Sequence, residues 1–218
     1  ARCTGFLAQW RRLYPSLADE LLSTAPAKPL APAKPVRFIR TFGAFGVEQH
    51  GEVNPWKARK TRELLALLLC AGVSETGPSL PRNALIAALW PEADPAKGES
   101  SFRVTLGRLR QSLGDAAGIE RDSSGRYALV NAKTDLILFL ESCERRDLEG
   151  ALAWYAGEFL PGMDFAVVDR LRVSLRSRWR NAIMQVILES DLTRGATLLE
   201  TLLEDDPSIK AALTLADY

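Results

Sequence analysis

The segment from Lys97 to Gly114 constrains this chain more than any other stretch. At helical period, Phe102, Leu106, Leu109 and Leu113 fall on one side and form a stripe that must be buried. The opposite side carries Ser100, Ser101, Val104, Gly107, Arg108 and Gln111, flanked by Arg103 and Arg110, with Lys97 at the start. Small residues allow close approach, guanidinium groups can bond guanine edges or phosphates, and a valine can touch a thymine methyl. That combination suits a DNA major groove. On its own the pattern also fits a solvated amphipathic helix with ordinary surface arginines. The rest of the chain decides between the two.

Residues 1–23 read as a helical tail of an upstream region, with Phe6, Leu7, Trp10, Leu13, Leu17 and Leu21 as its apolar positions. Pro26, Pro29, Pro32 and Pro35 then recur through an Ala/Pro/Lys tract over 24–35. Such a tract cannot join a helix or a sheet ladder and predicts an extended linker. From 36 to 54, apolar residues alternate with polar ones between glycines at 43, 46 and 51, the pattern of a small antiparallel sheet. His50, the single histidine, reads as a turn residue without a catalytic partner. Residues 58–72 predict a leucine-rich helix whose start, with Lys57, Arg59, Lys60 and Arg62, is cationic. Positive charge there opposes the helix dipole, so Lys60 is a candidate for an anionic partner such as phosphate.

Ser79 to Pro91 predicts a second helix capped by Ser79, with Pro81 in its first turn and Pro91 as its stop. After Gly114, residues 119–130 predict a hairpin around Ser123-Ser124-Gly125 that places Arg126 beside its tip, within reach of a minor groove or its phosphates. A sheet, three helices and a terminal hairpin make a winged helix-turn-helix, an α+β domain over 36–132. Helical patterns at 135–146, 147–157, 165–190, 193–204 and 208–216 follow, so an all-α domain with tetratricopeptide-like helices is expected over 133–218. The arginines at 170, 172, 176, 178 and 180 wrap around their helix and predict a salt-bridged face.

Net charge is +1, divided as +3 over residues 1–35, +3 over 36–130 and −5 over 131–218. A mildly basic middle and an acidic end fit a module facing nucleic acid followed by one facing protein. Cys3, Cys70 and Cys143 are scattered without metal-ligand spacing, so no zinc site, disulfide framework or cofactor is expected. No phosphate-binding loop, nucleophile elbow or zinc-protease motif occurs, which argues against an enzyme. The longest apolar run, Leu64 to Ala71, is far below the roughly 20 residues of a membrane helix. No membrane partner and a cytoplasmic location are expected, and the opening Ala1-Arg2-Cys3 suggests an excised piece of a longer protein.

Three motifs, taken together, resemble a known family. Ala58-Arg59-Lys60-Thr61-Arg62-Glu63-Leu64-Leu65-Ala66-Leu67-Leu68-Leu69, Leu85-Ile86-Ala87-Ala88-Leu89-Trp90-Pro91 and Val104-Thr105-Leu106-Gly107-Arg108-Leu109-Arg110 resemble the OmpR/PhoB-type winged helix of Streptomyces antibiotic regulatory protein (SARP)-like regulators. Downstream, the run from Asp147 to Gly162 and the closing Leu202-Leu203-Glu204-Asp205-Asp206-Pro207 resemble the bacterial transcriptional activator domain of those proteins. The resemblance implies binding to double-stranded DNA by paired protomers, and contact with RNA polymerase through the loop 91–96. It places Val104, Arg108 and Arg110 at groove-facing and phosphate-facing positions. Two departures stand out: Gly125-Arg126-Tyr127 replaces the usual Gly-Tyr-Arg of the wing, and Gly107 replaces a residue that is often basic or polar. The alternative expectation is a protein-interaction scaffold whose winged helix no longer binds DNA.

Overall fold

The structure, a computed structural model, describes residues 38–205 apart from 50, 51, 57, 75, 76 and 115. The expected N-terminal helix, the proline tract, His50, Cys3 and the helix at 208–216 lie outside the described residues.

Three short strands open the fold as an antiparallel meander: β1 (Phe38–Arg40), β2 (Gly46–Gln49) and β3 (Glu52–Pro55). Register pairs Ile39 with Val47 and Val47 with Asn54. Helix α1 (Arg59–Gly72) follows and is the centre of the molecule, with every residue from Glu63 to Ala71 buried. A helix apolar on all sides needs neighbours on all sides. α2 (Arg82–Leu89), α3 (Pro95–Leu113), strand β6 (Arg126–Val130) and helix α6 (Ala166–Glu189) all pack on it. Glu63 is the one acid in this buried run. Burial pushes its carboxyl up, but Arg59 Nε at 2.7 Å and Lys60 Nζ at 2.8 Å outweigh that and hold it below the usual range. Arg59 and Lys60 therefore have their anionic partner one turn downstream.

Ser79 does not cap α2. Ser79–Pro81 forms strand β4, which pairs antiparallel with β6, and β6 pairs with β5 (Gly118–Arg121) to give the order β4-β6-β5. Pro81 is the residue before α2, in extended conformation, and makes no side-chain cap. Ser-Leu-Pro carries no alternation of its own, so its partner β6, far along the chain, decides its conformation.

The second half is helical: α4 (Asp135–Arg145), α5 (Leu148–Trp154), α6 and α7 (Leu192–Asp205). Thr134 Oγ1 caps α4 by accepting from Ile137 N at 3.0 Å, and Asp147 Oδ1 caps α5 by accepting from Gly150 N at 2.9 Å. α4 packs against α5, α5 against α6, and α6 against α7. On α5, Ala151 is fully buried and Ala153 is exposed.

The first sheet is tied to this helical half by backbone hydrogen bonds. Ile39 N donates to Lys133 O at 2.8 Å, and Leu160 N donates to Thr41 O at 2.7 Å. Phe42 lies among Phe139, Tyr155 and Phe159, with ring centroids 4.9–5.7 Å away. Gly43, at φ +68°, passes so close to Ala156 that a Cβ would sit 2.4 Å from its carbonyl oxygen. Only glycine fits there. Asp135 closes the seam: its buried carboxylate accepts from Thr41 N (2.8 Å), Thr41 Oγ1 (2.5 Å) and Phe42 N (3.1 Å). Burial pushes the Asp135 carboxyl up despite these donors. One apolar core runs without a break from Leu64 and Phe102 to Leu136, Phe139 and Ile183.

Candidate nucleic-acid interface

α3 is positioned from both ends. Asp94 precedes it, and its Oδ1 accepts from Ala96 N and Lys97 N, both at 3.1 Å, while Pro95 occupies the first turn. The helix thus starts two residues before Lys97. Near its start, Gly98 meets α2 so closely that a Cβ would lie 2.9 Å from Ile86 Cγ2. Arg82 of α2 pairs with Glu99 of α3 and lies 5.5 Å from the centre of the Phe102 ring. Along its length Phe102, Leu106, Leu109 and Leu113 are buried, as their spacing requires, joined by Gly98 and Thr105. Phe102 makes an edge contact with Tyr127 of the hairpin at 5.2 Å.

The other face is open. Ser100, Arg103, Val104, Gly107, Arg108, Gln111 and Lys97 are exposed, and Ser101 is half-buried. Val104 is 52% exposed and sets an apolar group in the middle of this open face. The side chains of Lys97, Arg103 and Arg108 have no ion-pair or hydrogen-bond partner among the described residues. A Cβ added at Gly107 would meet nothing within 4 Å. The face thus combines two unpaired guanidiniums, an exposed isopropyl group and a flat glycine.

Three of the expected contact residues are engaged within the protein. Lys60 is paired with Glu63, as described. Arg110, though exposed, donates from Nη2 to Ile119 O at 3.0 Å, tying the end of α3 to β5. Arg126 turns back across the sheet and donates from Nε to Ser79 Oγ at 2.9 Å and from Nη2 to Ser79 O at 2.6 Å. Its guanidinium is therefore on β4 rather than at the hairpin tip. Arg121, which sequence reasoning passed over, is exposed at the end of β5, and its guanidinium lies along the turn at Gly125. Its only sequence signal was an arginine next to a turn.

Among the described residues no group of three or more His, Cys, Asp or Glu side chains is placed to hold a metal ion. Cys70 and Cys143 are free thiols, and burial pushes Cys70 up to about 12, far from a reactive thiolate. No described helix is long and apolar enough to cross a membrane.

No protein-family model matches the chain, and no curated protein matches it by sequence. Comparison with solved structures gives a likeness to Mycobacterium tuberculosis EmbR in complex with a low-affinity phosphopeptide, with a TM-score of 0.57. The fold is shared with EmbR. Identity is 22%, and the match covers 80% of this chain and 52% of that one, so the chain spans about half the length of the EmbR structure. At this identity the likeness supports the architecture alone, small sheets followed by a helical region, while the chemistry of α3 rests on the residues of this chain.

Proposed function

We propose that the chain is a sequence-specific DNA-binding transcription regulator, reading the major groove with α3 and contacting the adjacent minor groove or phosphates with the β5–β6 wing. The observation that carries the reading is the outward face of α3. Arg103, Val104, Arg108 and Gln111 are open to solvent on a helix whose other face and both ends are held rigidly. An exposed valine between unpaired arginines is poorly suited to water. It is well suited to base edges, where the valine can meet a thymine methyl and a bidentate guanidinium adds about 1–3 kcal/mol of discrimination. Ser100 and Ser101 stand where hydroxyls would meet phosphates, with Lys97 beside them at the start of the helix.

Partners follow from the same reading. Paired protomers on repeated sites, contact of the loop 91–96 with RNA polymerase, and activation rather than repression are the forms that the family resemblance supports. A scaffold without DNA binding is the second reading. It is favoured by the net charge of +1 and by the internal pairing of Arg110, Arg126 and Lys60.

Selection from a randomised pool of duplexes separates the two. The regulator enriches a defined motif, with affinity that falls steeply as salt rises. A chain that enriches nothing above the pool is the scaffold.

A further inference from the structure

The wing holds two arginines, one on each side of its turn, and the fold uses them differently. Arg126, at the start of β6, is half-buried and gripped twice by Ser79, 47 residues upstream. The register brings Pro81 opposite Arg126 and Ser79 opposite Ala128, so the guanidinium reaches diagonally over the sheet. Arg110 acts from the helix side, with its Nη2 on the Ile119 carbonyl. The two arginines thereby bind the β5–β6 hairpin to β4 and to α3. A two-stranded hairpin alone is marginal in water, and these ties give it a defined direction relative to α3.

Arg121 is bound by nothing comparable. It is exposed, and its side chain has no ion-pair or hydrogen-bond partner among the described residues. Its Nη2 would lie 3.3 Å from a Cβ at Gly125, a residue at φ +82°, so the guanidinium lies along a turn kept bare by glycine. Of the two acids beside it in sequence, Glu120 and Asp122, neither pairs with it, and Asp122 Oδ1 accepts from Ser124 Oγ at 2.7 Å and from Arg126 N at 2.9 Å. A planar cation without a hydrogen-bond or ion-pair partner among the described residues therefore stands at the wing tip, beside a helix whose open face carries two more.

We propose that Arg121 is the wing's contact with the DNA backbone, on the phosphates that line the minor groove, and that Arg110 and Arg126 are positioning residues that set the wing's angle to α3. The assignment rests on the DNA-binding reading above. It explains the departure at Gly125-Arg126-Tyr127: with Arg126 committed to Ser79, the exposed cation comes from the strand before the turn.

The test uses the duplex that the chain enriches from a randomised pool, titrated by fluorescence anisotropy across a salt series. Arg121→Ala is expected to weaken binding roughly tenfold and to lower the salt slope by about one. Arg121→Lys keeps the charge and is expected to keep the slope. Arg126→Gln retains an amide that can donate to the Ser79 carbonyl, so slope and affinity should stay within about twofold of the parent. Arg126→Ala, which removes both ties to Ser79, should lower the thermal midpoint and weaken binding to the duplex. A slope lost with Arg126→Gln, or kept with Arg121→Ala, overturns the assignment. A chain that enriches no duplex overturns the DNA-binding reading instead.

Discussion

Two helices of this chain are rich in arginine, and their guanidiniums have opposite surroundings. On α6, Arg172 donates to the carbonyls of Phe159 (2.9 Å), Leu160 (2.7 Å) and Met163 (2.9 Å), and pairs with Glu158 and Asp169. Arg176 and Arg180 converge on Asp205 at the end of α7, at 2.8 and 3.1 Å. On α3, Arg103 and Arg108 have no such partners among the described residues, and the one acid of the helix, Glu99, is paired with Arg82. Residue type is alike in the two helices. The positions of acids and free carbonyls differ, and that separates a cation that holds the fold from one left for a partner.

The largest expected effect breaks the α6 side of this comparison. Arg172→Ala strands three carbonyls of the loop between α5 and α6, and should cost about 3 kcal/mol in denaturant unfolding, since hydrogen bonds to charged groups contribute about 1.5–3 kcal/mol each. Arg172→Lys should recover little, because a single ammonium cannot span three acceptors as a planar fork does. A loss within about 0.5 kcal/mol, the scale of ordinary surface substitutions, would put the α6 arginines in the same class as those of α3.

The next effect lies on α3 and reverses the readout. Arg108→Ala should leave stability within about 0.5 kcal/mol of the parent, for the exposed side chain makes no hydrogen bond or ion pair among the described residues. It should weaken binding to the selected duplex by about 1–3 kcal/mol and relax preference at one base position. Arg103→Glu in the same assay should weaken binding to all duplexes alike, the mark of a phosphate contact. An unchanged motif and affinity for Arg108→Ala would remove that residue from the site.

What could be read in advance followed one rule: local periodic patterns carried over into the fold, and distant pairings did not. The α3 stripe, the wing hairpin and the four described C-terminal helices rest on spacing within one segment, and they lie where spacing put them. The roles of Arg110 and Arg126 depend on carbonyls and hydroxyls that no local pattern marks. Asp135 reads as a helix start, which it is. Its grip on Thr41 and Phe42, more than 90 residues upstream, has no trace in either segment. Lys60 is the opposite lesson: its partner Glu63 was three residues away, in plain view within the motif, but the cationic run drew attention to an external anion. Strand β4 was hidden because a serine before a proline fits a helix cap as well as a strand edge.

The smallest expected effect is the sharpest for the comparison, because it sets stability against binding at a single atom. Gly107 lies inside α3 on its open face, and a Cβ there meets nothing. Glycine inside a helix costs about 0.5–1 kcal/mol relative to alanine, so Gly107→Ala should stabilise the protein by about that amount in thermal or denaturant unfolding. A helix whose outer face meets only water has no use for the glycine, and the variant should then bind DNA as the parent does. A helix seated in the major groove gains close approach from the missing methyl. Affinity for the selected duplex should then fall while stability rises. Opposite movement of the two measurements is the result expected here; a variant that gains stability and binds the duplex unchanged would show that the groove does not come close at Gly107.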